Sequence, residues 1–115
     1  MNALIDKHSK DLIGYCGLLV QNVDAIQELE IAYSLLPEMR GKGFATEAAQ
    51  KCRDFAFENA YSDSLISIIS LTNLRSENVA LKNGMKRDKQ TRYKSNAVNI
   101  FRISRSMWKA AYEST

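Results

Sequence analysis

Residues 30–48 read Glu-Ile-Ala-Tyr-Ser-Leu-Leu-Pro-Glu-Met-Arg-Gly-Lys-Gly-Phe-Ala-Thr-Glu-Ala. Extended back to Glu28, this stretch opens with alternating polar and apolar residues, the period of a half-buried strand. Pro37 ends that strand, because proline has no N–H to give to a ladder. Beyond Gly43 the period changes. Phe44, Ala45, Ala48, Ala49, Cys52, Phe55 and Ala56 recur at three- and four-residue steps, which predicts an amphipathic helix over about 43–59. Glu47, Gln50, Lys51, Arg53, Asp54 and Glu58 cover its other side. Between strand and helix lies Arg40-Gly41-Lys42-Gly43. A helix N-terminus carries unpaired amides and partial positive charge, so it holds phosphate or pyrophosphate well. Gly41 and Gly43 let the backbone approach such an anion, and Arg40 and Lys42 add charge at its mouth. Spacing alone fits equally a tight glycine turn with two solvated cations. The pattern has neither the GK[ST] ending of a Walker loop nor the spacing of a dinucleotide fingerprint.

On the N-terminal side, Ala3 to Ile5 is short and strand-compatible, and Lys7 to Asp11, with His8, reads as a polar surface turn. Leu12 to Val20 is a strand whose glycines point to local bends, followed by a polar loop at about Gln21 to Gln27. On the C-terminal side, Leu65 to Leu71 reads as a buried strand and Ser76 to Lys82 as a short helix ended by Asn83-Gly84. Met85 to Gln90 and Val98 to Ile103 read as strands, with a polar loop over Lys89 to Asn96 between them. Ser104 to Tyr112 reads as a terminal helix. The expected order is β-β-β-α-β-α-β-β-α, a mixed α/β sheet with helices on its faces, in one domain over residues 1–115.

The composition bounds the function. With 115 residues, 45% hydrophobic and 25% charged, the chain has material for one core. A net charge of +3, concentrated in Lys82 to Arg92 and Arg102 to Lys109, is too diffuse for a nucleic-acid module. It leaves small anions as the attractive ligands. One histidine and two cysteines, Cys16 and Cys52, set in apolar patterns, argue against a metal site and for core thiols. No leader-like segment and no apolar run near 18 residues is present, so a cytoplasmic protein without membrane partners is expected.

Arg40-x-x-Gly43-x-Ala45 resembles the Q/R-x-x-G-x-G/A motif with which GNAT acetyltransferases cradle the pyrophosphate of CoA. The wider run from Glu30 to Ala48 is similar to the branch that acetylates ribosomal-protein N-termini. Asn73-x-x-Ser76-x-x-Val79-x-x-Lys82-x-Gly84-Met85 is similar to a second segment of the family. The resemblance covers about Leu12 to Ile103 and implies an acyl-CoA N-acyltransferase fold.

It also implies roles. Leu35 and Leu36 would offer backbone groups to the pantetheine arm where their strand splays from its neighbour. The amides of Arg40, Gly41, Lys42, Gly43, Phe44 and Ala45 would hold the pyrophosphate. Asn73 would meet the pantetheine or thioester, and Lys82 a CoA phosphate or only solvent. The implied reaction is direct acetyl transfer from acetyl-CoA to a primary amine, of a protein N-terminus or a small molecule, with no metal. Glu30 is the candidate base, directly or through water. The family's usual tyrosine is replaced by Ala80, which leaves Ser76, Tyr33 and Tyr93 as candidate acids. A strand and two helices that usually open this fold are expected to be missing, so a homodimer is expected to cover the exposed surface. A CoA-binding module without turnover is the alternative.

Overall fold

The computed structural model describes residues 2–5 and 12–113; the turn expected at 7–11, with His8, lies outside them. Six strands form one sheet: β1 (Asn2–Ile5), β2 (Leu12–Val23), β3 (Ile26–Leu35), β4 (Ser64–Ser70), β5 (Lys86–Tyr93) and β6 (Asn96–Ser104), in the order β1-β2-β3-β4-β6-β5. Three helices accompany them: α1 (Phe44–Glu58), α2 (Leu74–Lys82) and α3 (Arg105–Glu113). The order of strands and helices is the one read from sequence. All neighbouring strands are antiparallel except β3 and β4, which are parallel and in register at Glu30↔Ile66.

The helices share one face of the sheet. Ile31, Leu65, Ile69, Phe101 and Ile103 from the strands pack with Ala49, Ala56 and Phe57 of α1 and Ala80 of α2. Small residues line the inner side of α1 (Ala45, Ala48, Ala49), which brings that helix close to β2 and β3. Its final turn departs from the expected face. Phe55 is 53% exposed and meets Tyr61 edge-on at 5.6 Å, whereas Phe57 is fully buried against Trp108 of α3 at 5.3 Å. The indole of Trp108 donates to Asp54 Oδ1 at 2.8 Å and fixes α3 to α1.

The opposite face buries Val23, Ile66, Val98 and Ile100, and among the described residues no helix joins that cluster. Here the sequence reading is corrected. The polar stretch after Val20 is not a loop: β2 continues to Val23 and turns through Asp24 and Ala25 alone, both left-handed (φ 50° and 65°). Two left-handed central residues match the strand twist of a tight hairpin. The long arm brings Val23 into the apolar cluster, and Asp24 binds Lys89 Nζ and Thr91 Oγ1 on β5, each at 2.8 Å. The loop expected over 89–96 is likewise strand, with a turn of only Lys94 and Ser95 (φ 49° and 68°). Further along this face Arg102 binds Glu28 and reaches Asp88 Oδ2 at 3.1 Å and Ser64 Oγ at 2.9 Å. Glu28, first among these, holds the guanidinium more firmly protonated than usual. Polar side chains thus roof the apolar layer.

The glycines of β2 do not break it. At Gly14, paired with Leu35, a Cβ would stand 2.1 Å from the carbonyl oxygen of Ser34, so only glycine permits this approach of β2 to β3. Among the described residues no helix is long and apolar enough to cross a membrane.

Candidate active site

Because β3 and β4 pair at Glu30↔Ile66 and then diverge, their C-terminal ends leave a wedge between them. The wedge opens into a cleft of about 500 Å³, bounded by the end of β3, the loop after it, the start of α1 and one side of α2. That volume suits a small-molecule ligand.

The loop is built by its glycines. Pro37 starts a single 3-10 turn over Pro37–Met39, and Gly41 and Gly43 follow with φ of 79° and 82°. Gly43 is the N-cap of α1, whose ladder begins with Glu47 N–H donating to the Gly43 carbonyl at 3.0 Å. The amides of the first turn therefore have no acceptor within the helix. A Cβ at either glycine would meet nothing within 4 Å, so the loop's conformation, not crowding, demands glycine.

Opposite the loop, the Asn73 Oδ1 accepts from Ser76 N–H at 3.1 Å and caps α2. Its carboxamide Nδ2 remains as a donor on the cleft wall. Arg40, Arg75 and Lys82 all line the cleft, and no carboxylate does among the described residues. Three cations, first-turn amides and the positive end of the α1 dipole make this a site for an elongated polyanion. The donor set fits the phosphates of a CoA ester.

Of the residues expected at the site, Leu35, Arg40, Gly41, Gly43, Ala45, Asn73, Ser76 and Lys82 come together on the cleft wall. Leu36, Lys42 and Phe44 belong to the same segment but do not line it. The Leu36 carbonyl accepts from Met39 N–H at 2.9 Å, closing the 3-10 turn. Lys42 is exposed. Sequence reasoning did not single out Arg75, Asn78 or Thr46 for the wall. Positions 75, 78, 79 and 82 stand at helical spacing through the second motif, and that spacing was the available signal.

Glu30 sits at the vertex where the strands part. It is 8% exposed; Oε1 accepts from Gln21 Nε2 at 3.0 Å and Oε2 from Ile68 N–H at 3.1 Å. Burial raises its pKa, against the opposing pull of those hydrogen bonds and of Lys94. A carboxylate so placed takes up a proton nearer neutrality than an exposed one, as a general base requires. Among the candidate acids, Tyr33 and Ser76 line the cleft together, the Tyr33 hydroxyl donating to the Ser76 carbonyl at 3.0 Å. Burial pushes Tyr33 up to about 12, so it stays protonated at neutral pH. Tyr93 instead donates to Gln21, outside the cleft lining. The position of the family's usual tyrosine, Ala80, is buried on the inner side of α2. Among the described residues no three His, Cys, Asp or Glu side chains gather as metal ligands.

With strand wedge, glycine loop and cationic wall in view, the family is settled by comparison. Residues 1–86 match the model of the acetyltransferase (GNAT) domain, and the chain belongs to that family. An uncharacterised protein of Bacillus subtilis (strain 168), YkkB, is 29% identical over 96 residues, covering 84% of this chain and 56% of that protein. Two solved structures share the fold. One, from Bordetella pertussis and assigned to the GNAT acetyltransferases, has a TM-score of 0.78 at 19% identity, over 89% of this chain and 64% of that one. The other, a ribosomal-protein-S5-alanine acetyltransferase from Vibrio fischeri, has a TM-score of 0.74 at 18% identity, over 90% and 60%. The chain thus spans less than two thirds of the length of each.

Proposed function

We propose that this chain binds acetyl-CoA in the wedge between β3 and β4 and transfers its acetyl group to a primary amine, a protein N-terminus or a small amine. The observation that carries the reading is one continuous surface joining the end of β3, the left-handed glycine pair and three cations. The Leu35 backbone would align the pantetheine arm, first-turn amides of α1 with Arg40 would take the pyrophosphate, and Arg75 or Lys82 a further phosphate. Glu30 would accept the amine's proton, directly or through one water. The amine nitrogen would then attack the thioester carbonyl, the carbon–sulfur bond would break, and the departing sulfur would be protonated. Tyr33 is the better-placed donor for that last proton, since its hydroxyl is in the cleft and stays protonated. A homodimer belongs to the same proposal: Leu74 and Leu81, both exposed, lie seven residues apart on the outer side of α2.

The test is calorimetric titration with CoA and acetyl-CoA, comparing the wild type with Gly43→Trp, followed by thiol-release assays over alanine- and serine-starting peptides and polyamines. Binding by the wild type and its loss in the variant are expected, with acetyl-CoA turnover on at least one amine. Wild-type binding without turnover on any amine would favour a CoA-holding module. Absence of wild-type binding would overturn both.

A further inference from the structure

The mechanism makes no use of the two thiols, yet the fold brings them together. Cys16 lies on β2 at 2% exposure; Cys52, 36 residues later, lies partly exposed on α1. Their sulfurs are 3.4 Å apart, in contact but unbonded. A disulfide needs about 2.05 Å between sulfurs. Closing the difference takes a small approach of one helix to the strand beneath it, and α1 already packs on β2 through alanines.

The two thiols are not equivalent. Cys52 is the one that a small reagent can reach. The hydrogen bond from Cys16 holds the Cys52 thiol down to about 7, and the same bond, together with burial, pushes the Cys16 thiol up. Cys52 is therefore the thiol that ionises more readily near neutral pH, with Cys16 beside it. A partly exposed thiolate with a second thiol within contact distance is the arrangement of an attacking and a resolving cysteine.

We propose that Cys16 and Cys52 are a peroxide-sensitive dithiol that closes to an intramolecular disulfide, tying α1 to β2. The Cys52 thiolate attacks one oxygen of hydrogen peroxide, the O–O bond breaks, and hydroxide leaves to become water. Cys52 is then a sulfenic acid. The Cys16 sulfur, giving up its proton, attacks Cys52 Sγ; the S–O bond breaks and a second water departs. Two thiols lose two hydrogens in all, and one peroxide is reduced to two waters. The link lies nine residues beyond Gly43, roughly 13 Å along the helix axis from the glycine loop. It fixes the height and rotation of the helix whose N-terminus forms that loop.

The experiment treats the full chain with hydrogen peroxide and reads intact mass, maleimide labelling after denaturation, and thermal stability. The expected product is a single chain lighter by two hydrogens, taking up no maleimide until reduced by dithiothreitol. Its Tm should be higher by roughly 5–15 °C, because the link restricts the unfolded chain. Cys52→Ser, at the more exposed position, should show neither the mass loss nor the Tm rise. In Cys16→Ser, Cys52 should gain oxygens instead. A wild-type product in which Cys52 gains oxygen while Cys16 still takes maleimide would overturn the proposal, as would a disulfide between two chains.

Discussion

The hydroxyl of Ser67 donates to the carbonyl of Ile31 at 3.0 Å, just beyond the point where β3 and β4 are in register. A ladder that ends inside a protein leaves backbone groups to be satisfied by other means. Ser67 satisfies one of them, and Glu30 Oε2 satisfies the Ile68 amide from the other strand at 3.1 Å. Two side chains thus hold the vertex of the wedge. Ser67→Ala removes a buried donor and should cost about 1–3 kcal/mol in urea unfolding. The same variant should bind acetyl-CoA more weakly. A stability equal to wild type would deny the hydroxyl its role.

Glu30 makes a pH-dependent contribution whose sign is fixed by its raised pKa. Between its ordinary value and the raised one, the folded chain keeps a proton that the unfolded chain has released. Stability from this group is therefore complete below the ordinary carboxylate range and is lost as pH rises through the folded value. Glu30→Gln cannot ionise. Its stability relative to wild type should improve as pH rises out of the ordinary carboxylate range, as read from urea melts. Parallel curves for the two proteins would contradict the burial argument.

Gly14 is required by contact. A methyl group there would meet the Ser34 carbonyl oxygen at 2.1 Å and Leu35 Cα at 2.8 Å, both backbone atoms that cannot swing away. Gly14→Ala should destabilise by about 1–3 kcal/mol, the usual cost of overpacking. It should also raise the Kd for CoA, because Ser34 and Leu35 form the cleft wall. An alanine variant with wild-type stability and affinity would remove the argument.

The two phenylalanines at the end of α1 should respond very differently to truncation. Phe57→Ala empties a fully buried site beside Trp108 and should cost about 3–5 kcal/mol. Phe55→Ala, at a half-exposed site against Tyr61, should stay within about 1 kcal/mol. Similar losses in thermal or urea unfolding would mean that the helix is rotated.

These contrasts mark where the sequence was legible. The order of elements and the glycine loop were readable because both are local: a change of hydrophobic period at Gly43, and glycines adjacent to cations. The hairpin turns were not. Asp24-Ala25 and Lys94-Ser95 adopt left-handed backbone without a glycine, so the usual dipeptide signal is missing and the polar residues around them imitate loops. Phe55 was read as inward-facing because it fits the apolar period, and only α3 decides that Phe57 is covered instead. At the site, Asn73, Ser76 and Lys82 stood in a spaced motif, whereas the partners of Glu30 lie 9 and 38 residues away and follow no pattern.

The latch from Asp24 to Thr91 joins residues 67 apart in sequence. Val23 is buried only where the tip of the first hairpin meets strands contributed by the second half of the chain. During synthesis from the N-terminus, the first hairpin emerges long before the strands that receive its tip. Until residues 86–104 have left the ribosome, Val23 and Ile66 have no Val98 or Ile100 to pack against, and Asp24 has no cation on β5. The loop-closure entropy of this contact is met late. The C-terminal hairpin is therefore the step that commits the nascent chain to its native sheet, although the cofactor loop has been translated well before it.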